Sequence, residues 1–96
     1  MWKSCNEDLF KALADPTRRA IFEELCRNGE KTVVALTAAA SIAQPGVSVH
    51  LRKLKQAGLV RDRPSGRVTY FSADHTALVP LVDWTKTLVS QGRKKC

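Results

Sequence analysis

The apolar positions of the chain recur mostly at helical spacing, broken at intervals by capping and turn residues. Leu9, Phe10, Leu13 and Ala14 share one helical face, with Asn6 available as a cap, so residues 6–14 predict a first helix. Asp15-Pro16 follows directly. Asp is a good N-cap and Pro a good first helical residue, so a second helix starts there, with Ile21, Phe22 and Leu25 inward and Asn28-Gly29 as its stop. Thr32 caps a short third helix from Val33 to about Ala40, with Val33, Leu36 and either Thr37 or Ala40 facing in. Beyond a tight corner at Ser41-Ile42-Ala43, a fourth helix begins near Gln44, with Pro45 in its first turn. Val47, Leu51 and Leu54 recur at i, i+4 and i+7 as its buried stripe, and Gly58 ends it.

The pattern then changes. Leu59-Val60 and Val68-Thr69-Tyr70-Phe71 are strand material, and Pro64-Ser65-Gly66 between them is turn material, which predicts a two-stranded hairpin. Asp74 caps a last helix of about 75–90, with Leu78, Leu81, Val82, Thr85, Leu88 and Val89 as an apolar stripe and Trp84 beside it. Pro80 sits one turn in, so this helix either kinks or starts there.

The order α-α-α-α-β-β-α predicts a mainly α fold with a small β-hairpin. Two helices joined by so short a corner, followed by a hairpin, form a winged helix-turn-helix, whose second helix lies in the DNA major groove. One domain spans 1–96: helix-turn-helix 32–58, wing 59–72, dimerisation segments 5–15 and 74–90, and a loose tail 91–96. A chain of 96 residues has a modest core, and an amphipathic last helix outside it usually finds a partner, so a homodimer through first and last helices is expected.

Charge sharpens the reading. The net charge is +7, yet residues 1–42 hold six Lys+Arg against six acids, while residues 43–96 hold ten against three. Such asymmetry suits a polyanion partner, because phosphates bound by cations release counterions; a solubilising surface accounts for the charge alone equally well. The exposed faces of the fourth helix carry Gln44, Ser48, Arg52, Lys53, Lys55 and Gln56 with no acid among them, and the hairpin carries Arg61, Arg63 and Arg67. No apolar run approaches the ~20 residues of a membrane span, and no signal-peptide pattern opens the chain. Three cysteines without paired spacing fit a reducing cytosol. A cytoplasmic protein without membrane contact is expected.

Phe10-Lys-Ala-Leu-Ala-Asp-Pro-Thr-Arg-Arg-Ala-Ile-Phe22 resembles the opening signature of the arsenical-resistance-repressor (ArsR-type) family of bacterial winged-helix regulators. Gln44-Pro-Gly-Val-Ser-Val-His-Leu-Arg-Lys-Leu54, Ala57-Gly-Leu-Val-Arg61 and Gly66-Arg-Val-Thr-Tyr70 are similar to the same family's recognition helix and wing, and the likeness covers about residues 6–89. It implies a dimer that binds an operator and represses, with first and last helices at the interface: Leu9, Leu78, Leu81, Val82, Thr85, Leu88 and Val89. The chain departs from the family pattern at the recognition helix. Ala43 replaces the usual capping Ser, Gly46 stands where Ala is common, and Val49 occupies a position often held by Lys.

The DNA-contact set follows from side-chain chemistry. Gln44 and Ser48 are aimed at base edges, Arg52 at a guanine or a phosphate, Lys53 and Lys55 at phosphates, and Arg61, Arg63 and Arg67 at the backbone or minor groove; Arg18 and Lys31 are weaker phosphate candidates. The bland reading of each is a solvated charge, and His50 reads as a packed or capping residue at the edge of the buried stripe. Metal-sensing relatives carry a Glu-Leu-Cys-Val-Cys-Asp-Leu pattern in the third helix; the matching segment here is Glu30-Lys31-Thr32-Val33-Val34-Ala35-Leu36, without either cysteine. In the last helix only His75 and Asp83 are available, too few for a closed site, so neither metal nor cofactor is expected. Cys26 reads as a small buried hydrophobe, and Cys5 and Cys96 could meet across a dimer as a redox pair. Enzymatic parts are missing: the glycines make no phosphate loop, and no nucleophile-base set clusters. The alternative outside DNA binding is a winged helix that docks a protein partner. No effector motif is legible.

Overall fold

Capping chemistry sets most of the boundaries in the computed structural model, which describes residues 4–95. Helix α1 spans Ser4–Ala14 and α2 Pro16–Asn28. The Arg18 backbone N–H donates to Asp15 Oδ1 at 3.0 Å, so Asp15 caps α2 with Pro16 in its first turn. Gly29, at φ 84°, ends it through an N–H donated to the Leu25 carbonyl. Thr32 caps α3 (Val33–Ala40) by accepting from the Ala35 N–H, and Ser41 closes it in the left-handed conformation, φ 58°. Asn6, expected as a cap, lies inside α1, which starts two residues earlier.

Helix α4 spans Gln44–Gln56 and crosses α3 at 110° over the corner Ser41-Ile42-Ala43, within the range of helix-turn-helix pairs. Its two ends differ. Ala43 makes no side-chain cap, as the missing Ser foretold. At the other end, the Gly58 N–H reaches the Lys55 carbonyl and the Leu59 N–H the Leu54 carbonyl, with Gly58 at φ 81°: a Schellman closure whose apolar partners, Leu54 and Leu59, are fully buried.

The wing is larger than the expected hairpin. Strands β2 (Val60–Ser65) and β3 (Val68–Ala73) pair antiparallel, and a short β1 (Lys31–Thr32) adds to the far side of β3, giving the order β1-β3-β2. The pairings Lys31 with Phe71 and Thr32 with Tyr70 tie the start of α3 to the wing. Pro64 and Ser65, assigned to the turn from sequence, belong to β2. Pro64 is tolerated because β2 is an edge strand, and the reversal falls on Gly66-Arg67 with Gly66 at φ 62°.

Leu9, Ala12, Ile21, Phe22, Leu25, Leu36, Val47, Leu51, Leu54, Leu59 and Val60 form the core. Leu9 was expected at the dimer face; it is instead 4% exposed inside the protomer core, because α1 turns that side onto the other helices. Asp74 caps a 3₁₀ turn, His75–Leu78, and α5 (Val79–Lys95) follows, so the last helix starts at Pro80's turn and does not kink there. It continues through residues 91–95, where a loose tail was expected. Leu78 and Leu81 pack against the core, while Val79, Val82, Trp84, Leu88 and Val89 remain exposed. Trp84 meets α1 through an edge-to-face contact with Phe10, ring centroids 5.2 Å apart. Cys26 is half-buried, and burial pushes its thiol pKa up, against reactivity. The side chain of Cys5 and all of Cys96 lie outside the described residues.

Candidate nucleic-acid interface

The buried stripe of α4 fixes what the helix presents. With Val47, Leu51 and Leu54 inward, Gln44, Ser48, Arg52, Lys53, Lys55 and Gln56 are exposed, while His50 is half-buried. Gln44 and Lys53 are nine residues apart, which at 3.6 residues per turn is about two and a half turns and places them on opposite flanks. The surroundings agree. Gln44 shares a groove with Thr32, Val34, Arg67 and Val68, between α3 and the wing tip. Lys53 shares a cleft with Asp8, Lys11, Arg18 and Gln56, against α1 and α2. The expected contact set is therefore one helix with two differently built flanks.

The cations of the two regions are not equivalent. On the wing, Arg63 donates from Nε and Nη2 to both carboxylate oxygens of Glu30, at 3.1 and 2.8 Å, and its guanidinium lies 4.8 Å from the centre of the Tyr70 ring. Arg61 Nη2 donates to Asp74 Oδ2 at 2.9 Å, and Lys55 Nζ to Asp62 Oδ2 at 2.8 Å. These bonds hold the acids below the usual carboxylate range: Glu30 through Arg63, Asp62 through Lys55, and Asp74 through the Thr76 hydroxyl and then Arg61. The same contact with Glu30 raises the Arg63 pKa. By contrast, Lys11, Arg18, Arg19, Arg52, Lys53, Arg67 and Lys86 make no ion pair among the described residues; Arg18 and Arg19 donate to backbone carbonyls instead, and of the other five all but Lys86 lie on α4, its cleft or the wing tip.

Arg18 and Lys31, the weaker phosphate candidates, are tied down. Arg18 Nε donates to the Ala12 carbonyl at 2.6 Å and Nη2 to the Lys11 carbonyl at 3.3 Å, while Nη1 lies 3.4 Å from His50 Nδ1. It pins the end of α1 to α4, and His50 is the packed residue expected. Lys31 lies 3.9 Å from Glu24. Sequence reasoning missed Glu30, Asp62 and Asp74 as partners of the wing cations and Lys11 as a neighbour of Lys53; Glu30 is 33 residues from Arg63, so no local pattern signals it.

A helix-turn-helix domain model matches residues 13–63. The transcriptional repressor SdpR of Bacillus subtilis (strain 168) is 34% identical over 85 residues, spanning 88% of this chain and 93% of the repressor. The crystal structure of the ArsR family transcriptional regulator RHA00566 superposes with a TM-score of 0.84 at 29% identity, covering 94% of this chain and 98% of that one. The homodimeric winged helix-turn-helix DNA-binding domain of Mb0332 from Mycobacterium bovis, a possible ArsR-family regulator, superposes with a TM-score of 0.72 at 25% identity, covering 96% and 84%. Helix α4 after its 110° corner, the β2-β3 wing and the extent of these likenesses agree: the chain belongs to the ArsR-type family of winged helix-turn-helix transcriptional regulators.

Proposed function

We propose that the chain is a sequence-specific double-stranded DNA-binding repressor, acting in the cytoplasm as a homodimer on a pseudo-palindromic operator and carrying no enzymatic activity. The observation that carries the DNA reading is the distribution of unpaired cations: Arg52 and Lys53 on α4, Arg67 on the wing tip and Lys11 in the cleft beside α4. Gln44 shares the groove with Arg67 and Val68 of the wing tip, and exposed Ser48 follows it by one helical turn; an amide can read adenine and a hydroxyl several bases. A gel-shift salt series tests this. Binding that rests on several phosphates falls by roughly 0.9 log units per log unit of salt for each phosphate neutralised, whereas a flat response favours a protein partner.

The dimer reading rests on α5. Five large apolar side chains along it are exposed, from Trp84 at 42% to Val89 at 58%. The radius of gyration is 15.4 Å, against about 12.5 Å expected of a compact chain this long, and the longest extent is 54 Å. Such a face gains stability when a second copy covers it, and the relative Mb0332 is itself homodimeric. Val82→Glu places a charge in that face and is expected to leave a monomer by sedimentation, with weakened operator binding. A variant that remains dimeric removes α5 from the interface.

A further inference from the structure

We propose that the cleft between α1, α2 and α4 is a phosphate site, occupied in the complex by the DNA strand across the major groove from the strand the wing reaches. This rests on the DNA-binding reading above and adds Lys11, on the first helix, to its machinery. The cleft encloses about 320 Å³ and is lined by Lys11, Arg18, Lys53, Gln56 and Asp8. Three cations against one carboxylate leave it positive, and neither Lys11 nor Lys53 is paired with an acid among the described residues. Lys55 and Lys31, by contrast, are neutralised by Asp62 and Glu24, and Lys86 on α5 stands alone rather than beside a second free lysine.

Geometry supplies the occupant. A helix lying in the major groove has a phosphate backbone on each flank. One flank of α4 faces Arg67 across the groove that contains Gln44; the opposite flank presents Lys53 to this cleft. Arg18 adds its charge and engages each of its three nitrogens with the Ala12 and Lys11 carbonyls and His50, so it holds the α1 turn bearing Lys11 beside α4. Lys11 and Lys53 remain as the two mobile donors, and Gln56 adds an amide. Asp8 opposes the anion and limits affinity.

Because a phosphate contact is independent of base sequence, a mixed-sequence duplex serves as probe, with the full chain and its Lys11→Ala, Lys53→Ala, Arg67→Ala and Asp8→Asn variants. Lys11→Ala and Lys53→Ala are each expected to lower the salt slope by about 0.9 per bound protomer. Asp8→Asn is expected to tighten binding by roughly 1.5- to 5-fold, the scale of one exposed charge pair, a gain that misfolding cannot imitate. Unchanged slopes for both lysine variants, with Arg67→Ala still lowering it, overturn the cleft and leave the DNA reading intact. A flat salt response of the unsubstituted protein overturns both. A titration with inorganic phosphate, followed by amide shifts at Lys11 and Gln56, separates the sources. Phosphate binding lost in Lys11→Ala without any change in the DNA slope makes the cleft a small-anion site and rejects its place on DNA.

Discussion

The recognition helix and the base of the wing carry the same kind of charge in opposite conditions. Arg52 and Lys53 on α4 stand in solvent without an acid partner among the described residues, whereas Arg61 and Arg63 on β2 are bonded to Asp74 and Glu30. The sequence alone assigns all three wing arginines to DNA and places the departures from the family pattern, Ala43, Gly46 and Val49, on the helix. A cation already held by a carboxylate gives a phosphate less, because contact must either break the pair or bring the acid's charge to the DNA. The pairs lie at the surface and are individually weak, so they tune the wing's charge more than they hold the fold. Within the wing, Arg67 at the Gly66-Arg67 reversal is the cation left for DNA.

The sharpest way to break the contrast is to truncate one residue from each region. Arg52→Ala is expected to cost ~1–3 kcal/mol of operator affinity and to relax base preference, while Arg63→Ala should stay within about 0.5 kcal/mol. Equal losses by fluorescence anisotropy would erase the distinction. A smaller effect concerns the helix front itself. Ala43→Ser restores a cap and Gly46→Ala removes a poor helix former, each contributing about 1 kcal/mol. A Cβ at Gly46 would meet only Ile42 Cδ1, at the ordinary distance of 3.8 Å. The double variant should melt several degrees higher in a calorimeter; an unchanged or lower midpoint would mean the α4 front is not under-capped.

Two weaker effects sharpen the wing side. Glu30→Gln releases the Arg63 fork, so the salt slope should steepen by up to about 0.9 per protomer; an unchanged slope would show that Arg63 does not reach the backbone. The second is acid sensitivity. Glu30, Asp62 and Asp74 are held below their ordinary values, so their pairing contributes fully above the unfolded carboxylate range of about 3.9–4.3 and is lost as pH falls through it and below. Melting midpoints taken from neutral pH to about 3 should fall less for Glu30→Gln than for the unsubstituted chain. Parallel curves would mean that the Glu30–Arg63 pair carries no such linkage.

Much of the fold was legible because its boundaries are written in short-range chemistry. Asp15-Pro16, Asn28-Gly29, Thr32 and Gly58 act on backbone groups within a few residues, and the α4 stripe needs only its own period. What escaped depends on distant partners. Strand β1 is two residues long and exists only because Lys31 and Thr32 meet Phe71 and Tyr70. Pro64 read as a turn because nothing local says that β2 lies at a sheet edge. Leu9 carried the same apolar signal for core as for dimer face. The contact set was legible by residue type but not by state, since the acid that holds Arg63 lies in the half of the chain whose charges sum to zero.

Selection of bound duplexes from a random-sequence library, run in parallel with the unsubstituted chain, Arg52→Ala and Arg63→Ala, separates the helix cation from the wing cation in one experiment. The expected product is an inverted repeat whose half-sites are centred about one helical turn, or a multiple of it, apart. Arg52→Ala should lose preference at one position of each half-site, and Arg63→Ala should return the unsubstituted motif. Enrichment of no motif, or loss of the motif in Arg63→Ala with its retention in Arg52→Ala, would contradict this expectation.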